Sequence, residues 1–193
     1  MNSNPERRGP LSGLRVIDTS TLYAAPLIAT LLADHGAAVI KIEPPGGDEY
    51  RNFTGRMWSL MARTKRSLVL DLNTDAGRDE LRAMVPGTDV MVVNMPTAGL
   101  KKRGLDFDSL SAINPRLIMA HFSGFGLEGP YAGRAGNGTT SESLAGLTHM
   151  TGEADGPPVL PSVPWATAWP PTPAPSPCWP PATTAWPTAA RAG

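Results

Sequence analysis

Residues 14–43 read LRVIDTSTLYAAPLIATLLADHGAAVIKIE. The stretch opens on a branched apolar run, 14–18, that stops at Asp18, and this predicts a buried strand. A short loop, 19–25, leads into a helix over 26–35. Ala24, Leu27, Ile28, Leu31 and Leu32 recur at spacings of three and four, so they are expected to form its inner face. Pro26 falls in the first turn, where a missing N–H costs nothing, and Gly36 is placed to end the helix. Residues 38–43, AVIKIE, predict a second strand, closed by Pro44-Pro45-Gly46-Gly47. Strand, helix and strand in this order form a βαβ unit.

The pattern repeats further on. Residues 48–62 show no clean period and predict a surface excursion with a short helix around 57–62. Residues 67–72 (SLVLDL) predict a third strand, and 74–85 a helix with Thr74 as N-cap and Leu81, Met84 and Val85 inside. Residues 89–94 (DVMVVN) predict a fourth strand. One or two short helices follow over 98–114, the second starting near Asp108, and 117–122 predicts a fifth strand. Short apolar strands separated by helices imply an α/β fold, Rossmann-like, with a mostly parallel sheet flanked by helices. Ligands in such sheets sit outside the carboxyl ends of the strands. The fifth strand delivers residues 121–138, HFSGFGLEGPYAGRAGNG, with six glycines, ahead of an amphipathic run over 139–150. Bare backbone N–H groups in such a loop can approach an anion. Gly124–Gly129 spell G-x-G-x-x-G, but Pro130 follows the last glycine and no strand ending in an acid lies about 20 residues on, so the dinucleotide fingerprint is incomplete.

Composition narrows the classes. The 193 residues carry 17 basic and 17 acidic side chains, so nothing points to nucleic acid or an anionic membrane as partner. No apolar run approaches the roughly 20 residues that span a bilayer. The first residues, MNSNPERRGP, lack the apolar core of a secretory leader, and the single cysteine, Cys178, suits a reducing, cytoplasmic setting. His35, His121 and His149 show no metal-ligand spacing, so no metal is expected. Ser123 and Ser141 lack the G-x-S-x-G elbow of a hydrolase.

Several segments, in order, resemble the class III CoA-transferases, the group of formyl-CoA and carnitine-CoA transferases. They are LSGLRVIDTS (11–20), LLADHGAAVIKIEPPGGD (31–48), TKRSLVLDL (64–72), the 89–94 strand, RGLDFDSLSAINPRLI (103–118), SGFGLEGPYAGRAG (123–136) and LAGLTHMTG (144–152). Each alone is weak; the set is specific. The resemblance implies an N-terminal half of a longer enzyme that moves CoA from an acyl-CoA to a free carboxylic acid. It implies a carboxylate nucleophile and an acyl–enzyme anhydride, with CoA as substrate and no tightly bound cofactor. A carboxylate suits the task, because it is nucleophilic at neutral pH without a base. The position read as the family's aspartate holds Gly138 here, and the nearest carboxylate is Glu142, the candidate nucleophile; its plain alternative is a helix-start glutamate favoured by the dipole. For CoA the resemblance implies contacts from Tyr23, Ala24 and Ala25, from the basic pair Lys65-Arg66, from Asn94, Met95 and Lys102, and from Gly124 and Gly126 of the loop. It also implies an interlocked homodimer built with a C-terminal half to which the resemblance does not extend. A CoA- or nucleotide-binding module without catalysis, or a Rossmann oxidoreductase, are the alternatives.

Beyond Gly156 the only charged residue is Arg191, and twelve of the 21 prolines and four of the five tryptophans lie there. Two parts are expected: 1–164, and a disordered Pro/Ala/Trp-rich tail, 165–193, whose prolines exclude a helix. Read one base earlier, the codons of residues 165–171 (WATAWPP) permit L-G-D-G-L-A-A, which is close to how the family continues. The expectation is a frame shift near Pro164; a genuine proline-rich linker or SH3-groove ligand is the rival.

Overall fold

A computed structural model describes residues 9–53, 55–162 and 165–168. Five strands, β1 (Arg15–Asp18), β2 (Ala38–Glu43), β3 (Arg66–Val69), β4 (Val90–Val93) and β5 (Ile118–His121), form one sheet. Its order is β3-β2-β1-β4-β5 and every neighbouring pair is parallel. The helices are α1 (Ala24–Asp34), α2 (Glu49–Phe53), α3 (Gly55–Met61), α4 (Asp75–Met84), α5 (Thr97–Arg103), α6 (Phe107–Ser111), α7 (Gly138–Leu144) and α8 (Trp165–Ala168). The α/β class read from the sequence is the observed one.

Alternation along the strands sorts side chains to two cores. Ile17, Ile42, Met91 and Val93 face one side with Leu81, Val85, Leu100 and Leu110; Val16, Val39, Val90 and Val92 face the other with α1. β4 is buried at all four residues, as a central strand covered on both faces must be.

α1 departs from its expected face. The buried stripe is Ala25, Pro26, Ala29, Thr30 and Ala33, while Leu27, Ile28, Leu31 and Leu32 are half-buried. Small residues let the helix axis approach the sheet closely, and the larger side chains are left flanking the contact. α4 follows expectation: Thr74 caps it, accepting from the Gly77 amide at 3.1 Å, and Leu81 and Val85 are fully buried. α6 starts earlier than Asp108, because Asp106 accepts from the Ser109 amide at 3.3 Å.

Two further corrections concern longer segments. The stretch read as an excursion, 48–62, holds α2 and α3, and Met61 is buried. The proline-based exclusion of a helix from residue 165 onward fails for Trp165–Ala168, which form one turn before the first tail proline at 170. Residues 169–193, with Cys178 and the rest of the expected tail, lie outside the described residues. Among the described residues no helix is long and apolar enough to cross a membrane.

Candidate functional site at the strand tips

Strand order reverses between β1 and β4, because the chain runs outward through β2 and β3 before returning to β4. The helices that follow these two strands lie on opposite faces of the sheet, which makes the β1–β4 tips the switch point where ligands of such sheets bind. Asn94, the residue after β4, links the two tips: its Oδ1 accepts from the Thr21 amide at 3.0 Å and its Nδ2 donates to the Thr21 carbonyl at 2.8 Å. Leu22 follows with φ of 67°. Tyr23 then precedes α1, its ring 6.5 Å from that of Tyr50 on α2. Burial raises the Tyr50 phenol above the usual tyrosine range, with Tyr23 and Asp48 adding to the shift. Ala24 and Ala25 open α1, Ala25 buried and Ala24 half-buried.

Beneath this loop lies a set of buried charges. Asp18 accepts from Lys65 at 2.8 Å through one carboxylate oxygen and from the Ser20 amide at 3.0 Å through the other. Lys65, whose side chain is 1% exposed, also donates to the Pro26 carbonyl at 2.6 Å. Burial pulls the Lys65 ammonium below the usual lysine range, and Asp18 opposes that shift. Lys41 pairs with Asp48 at 3.1 Å and donates to the Ser20 carbonyl. Glu43 receives Arg51 through two bonds of 2.5 and 2.7 Å, the Asp48 amide at 3.1 Å, and the Ser67 hydroxyl. Arg51 also lies 4.0 Å over the Trp58 ring. Burial alone pushes the Glu43 carboxyl up, but the Arg51, Ser67 and Asp48 donors outweigh it and hold it at about 2. These contacts pin 48–58 to the sheet, which is why the excursion folds back instead of trailing over the surface.

The glycine loop leaves the carboxyl end of β5. The Phe122 amide continues the ladder to the Val93 carbonyl at 2.8 Å. His121 bonds the Met95 carbonyl at 2.8 Å through Nε2, and burial holds its pKa below the usual histidine value against that bond. The loop closes on itself where Gly124 meets Gly136: a Cβ on Gly124 would lie 2.5 to 2.7 Å from the Gly136 backbone. Gly126, at φ of 78°, takes a left-handed conformation. We expect Gly124→Ala to cost about 1–3 kcal/mol by forcing these backbones apart. Thermal denaturation checks it, and an unchanged midpoint would mean the closure is not rigid.

Asn137 caps α7, accepting from the Thr140 amide at 2.9 Å. Glu142 is buried on this helix, and its Oε1 accepts from the Ala166 amide at 2.9 Å. A Cβ at Gly138 would overlap the Thr167 hydroxyl and lie 3.1 Å from the Thr167 backbone nitrogen. Residues 165–168 thus pack across the start of α7. The amphipathic run read over 139–150 is helical only to Leu144, and Leu144 and Met150 are exposed.

The candidate residues therefore form two groups. Tyr23, Ala24, Ala25, Lys65, Asn94 and Met95 gather at the β1–β4 tips; Gly124, Gly126 and Glu142 belong to the segment beyond β5. Arg66 opens the edge strand β3, exposed, and Lys102 lies exposed on α5. The sequence model of CoA-transferase family III matches residues 11–171. The chain belongs to CoA-transferase family III.

Relatives in this family include the succinate–glutarate CoA-transferase of Agrobacterium fabrum, 40% identical over 173 residues, covering 82% of this chain and 43% of the relative. The succinyl-CoA–D-citramalate CoA-transferase of Chloroflexus aurantiacus is 41% identical over 157 residues, covering 77% and 39%. A CAIB/BAIF family protein from Brucella suis shares the fold with a TM-score of 0.76 at 38% identity, covering 81% of this chain and 44% of that one. The chain spans about two fifths of the length of the curated relatives it matches. Within this CoA-transferase family III chain, Asp18, Lys41, Glu43 and Asp48 stand in no site motif. Their sequence signal is charge inside a strand that is otherwise apolar, the Lys41 and Glu43 of AVIKIE, since buried charges require partners. Among the described residues no group of three His, Cys, Asp or Glu side chains is placed to hold a metal.

Proposed function

We propose that this chain supplies the CoA-receiving half of an acyl-CoA:carboxylate CoA-transferase acting in the cytoplasm. The observation that carries the reading is the family match across 11–171, on a parallel sheet whose strand order reverses between β1 and β4. Tyr23, Ala24, Ala25, Met95 and the glycine loop flank CoA in this reading, and Arg66 and Lys102 are the exposed cations for its phosphates. The relatives' names favour a succinyl-CoA donor and a second dicarboxylic acid as acceptor. In the exchange, a carboxylate oxygen attacks the thioester carbonyl and CoA leaves as the thiolate, which leaves a mixed anhydride. CoA thiolate attacks the enzyme-side carbonyl of that anhydride, which releases the first acid and leaves an enzyme–CoA thioester. The second acid's carboxylate displaces CoA thiolate from it to form a second mixed anhydride. The thiolate attacks the acid-side carbonyl of this anhydride to give the new acyl-CoA and free the enzyme carboxylate. Loop N–H groups aimed at the developing oxyanion contribute about 3 kcal/mol each.

Glu142 is the acyl-accepting carboxylate in this reading. Its 2.9 Å bond from the Ala166 amide favours a second one, in which it anchors residues 165–168. Calorimetry with CoA and succinyl-CoA:glutarate exchange test the function, and two variants separate the roles. Glu142→Gln keeps an acceptor for the Ala166 amide but is no nucleophile. Loss of exchange of 1,000-fold or more in Glu142→Gln, with CoA binding retained, supports the nucleophile. Exchange retained in Glu142→Gln and lost in Glu142→Ala supports the anchor.

The reading frame is proposed to shift near residue 164, close to the end of the family match at residue 171. Sequencing the gene across that point tests this, and an uninterrupted frame in independent isolates removes it. The homodimer implied by the resemblance is tested by sedimentation of the 193-residue chain.

A further inference from the structure

Asn94 commits both ends of its side-chain amide to one residue of the facing loop, Thr21. Its carbonyl oxygen takes the Thr21 amide and its amide nitrogen serves the Thr21 carbonyl, at 3.0 and 2.8 Å. A strand neighbour would bond Thr21 in the same two ways, so the side chain extends the β1–β4 pairing past the end of the strands. On the other side of the loop, Ser20 is held as firmly. Its amide and hydroxyl bond Asp18, and its carbonyl receives the Lys41 ammonium. Immediately after these two anchored residues comes Leu22, at φ of 67° and 46% exposed. A leucine gains nothing of its own from the left-handed region. Its conformation is imposed by the anchors before it and by the start of α1 after it.

We propose that Asn94 is a positioning residue that locks the 19–23 loop into a strained, ligand-ready conformation before any ligand arrives. The proposal rests on the reading above that CoA binds at the β1–β4 tips. A loop ordered in advance brings no ordering cost to binding, and a loop populated only in part weakens the apparent affinity by that fraction. Removing the Asn94 amide frees Thr21, lets Leu22 return to negative φ, and dilutes the competent loop.

The test uses the full chain with two readouts. Amide hydrogen exchange at Thr21 contains no ligand and reports the clamp; calorimetric titration with CoA reports its consequence. Asn94→Ala is expected to speed Thr21 exchange at least tenfold and to weaken CoA binding tenfold or more. Leu22→Gly in the Asn94→Ala background is expected to recover part of the affinity, because glycine adopts positive φ without strain. Unchanged Thr21 exchange in Asn94→Ala overturns the proposal, even if CoA binding falls, since that pattern marks direct contact. Faster exchange with unchanged CoA affinity overturns it as well. A wild-type chain that binds no CoA overturns the proposed function, and the exchange arm then decides the clamp alone.

Discussion

Replacing Asp18 with alanine lowers the unfolding free energy by about 3–5 kcal/mol, the range for breaking a buried ion pair from one side. Asp18 is 0% exposed and Lys65, its partner at 2.8 Å, is sealed beneath the same loop. Without the carboxylate, Lys65 keeps one carbonyl partner, Pro26, and its charge has no counter-ion within bonding distance except through rearrangement. The lysine must then lose its proton or draw water in beneath the loop after β1. The Ser20 amide and hydroxyl lose their acceptor in the same step. For a domain whose whole stability lies in the range of about 5–15 kcal/mol, this is a large share. The double variant Asp18→Asn, Lys65→Met removes both charges, keeps an acceptor for Ser20, and is expected to recover most of the loss. Urea denaturation of the wild type and both variants checks the pair. A loss below about 1 kcal/mol in Asp18→Ala would mean that Lys65 reaches solvent and that the pair is not buried in solution.

Acid is expected to remove a second block of stability through Glu43. Its folded pKa, about 2, lies below the ordinary value of 4.5. The unfolded carboxylate therefore takes up a proton more readily than the folded one, and acid favours unfolding. The contribution is complete above pH 4.5 and is lost as pH falls toward 2. At about 1.4 kcal/mol for each pKa unit, the loss across that window is roughly 3 kcal/mol. Glu43→Gln, which cannot titrate, should be less stable than wild type at pH 7 and show a much flatter dependence between pH 4.5 and 2. Some slope remains, because Asp106 is also held below its ordinary value: its desolvation is outweighed by the Ser109 hydroxyl and amide. Denaturation series across pH measure both. Parallel curves for wild type and variant would show that Arg51 does not hold Glu43 in solution.

These two predictions lie on residues to which the sequence assigned no partner, and that locates the boundary of what could be read from the chain. Local signals were legible. Thr74 before an acidic first turn, Gly36 at φ of 103° after α1, and the apolar runs of β1, β2 and β4 all announce their elements without help from distant residues. The family was legible for the same reason, since its segments are short and ordered along the chain. Three things were not. The buried face of α1 runs through alanines, because contact with a flat sheet rewards close approach over side-chain size. The helix at Trp165–Ala168 depends on Glu142, 24 residues earlier. Lys65 reads as an exposed basic pair with Arg66, yet the two separate on folding, one into a buried ion pair and one onto the edge strand.

By itself, the sequence determined the five strands, helices α1 and α4, the parallel α/β class and membership of CoA-transferase family III. Those properties depend on periodicity, caps and order along the chain, which a linear reading contains. Tertiary structure alone decided which charges meet and which side chain bonds the backbone of the facing loop. Asp18 and Lys65 lie 47 residues apart, and Asn94 and Thr21 lie 73 apart. Such pairs come into being only when strand order places β1 between β2 and β4, because a hydrogen bond reaches about 3 Å and carries no trace of itself in the spacing of residues so distant.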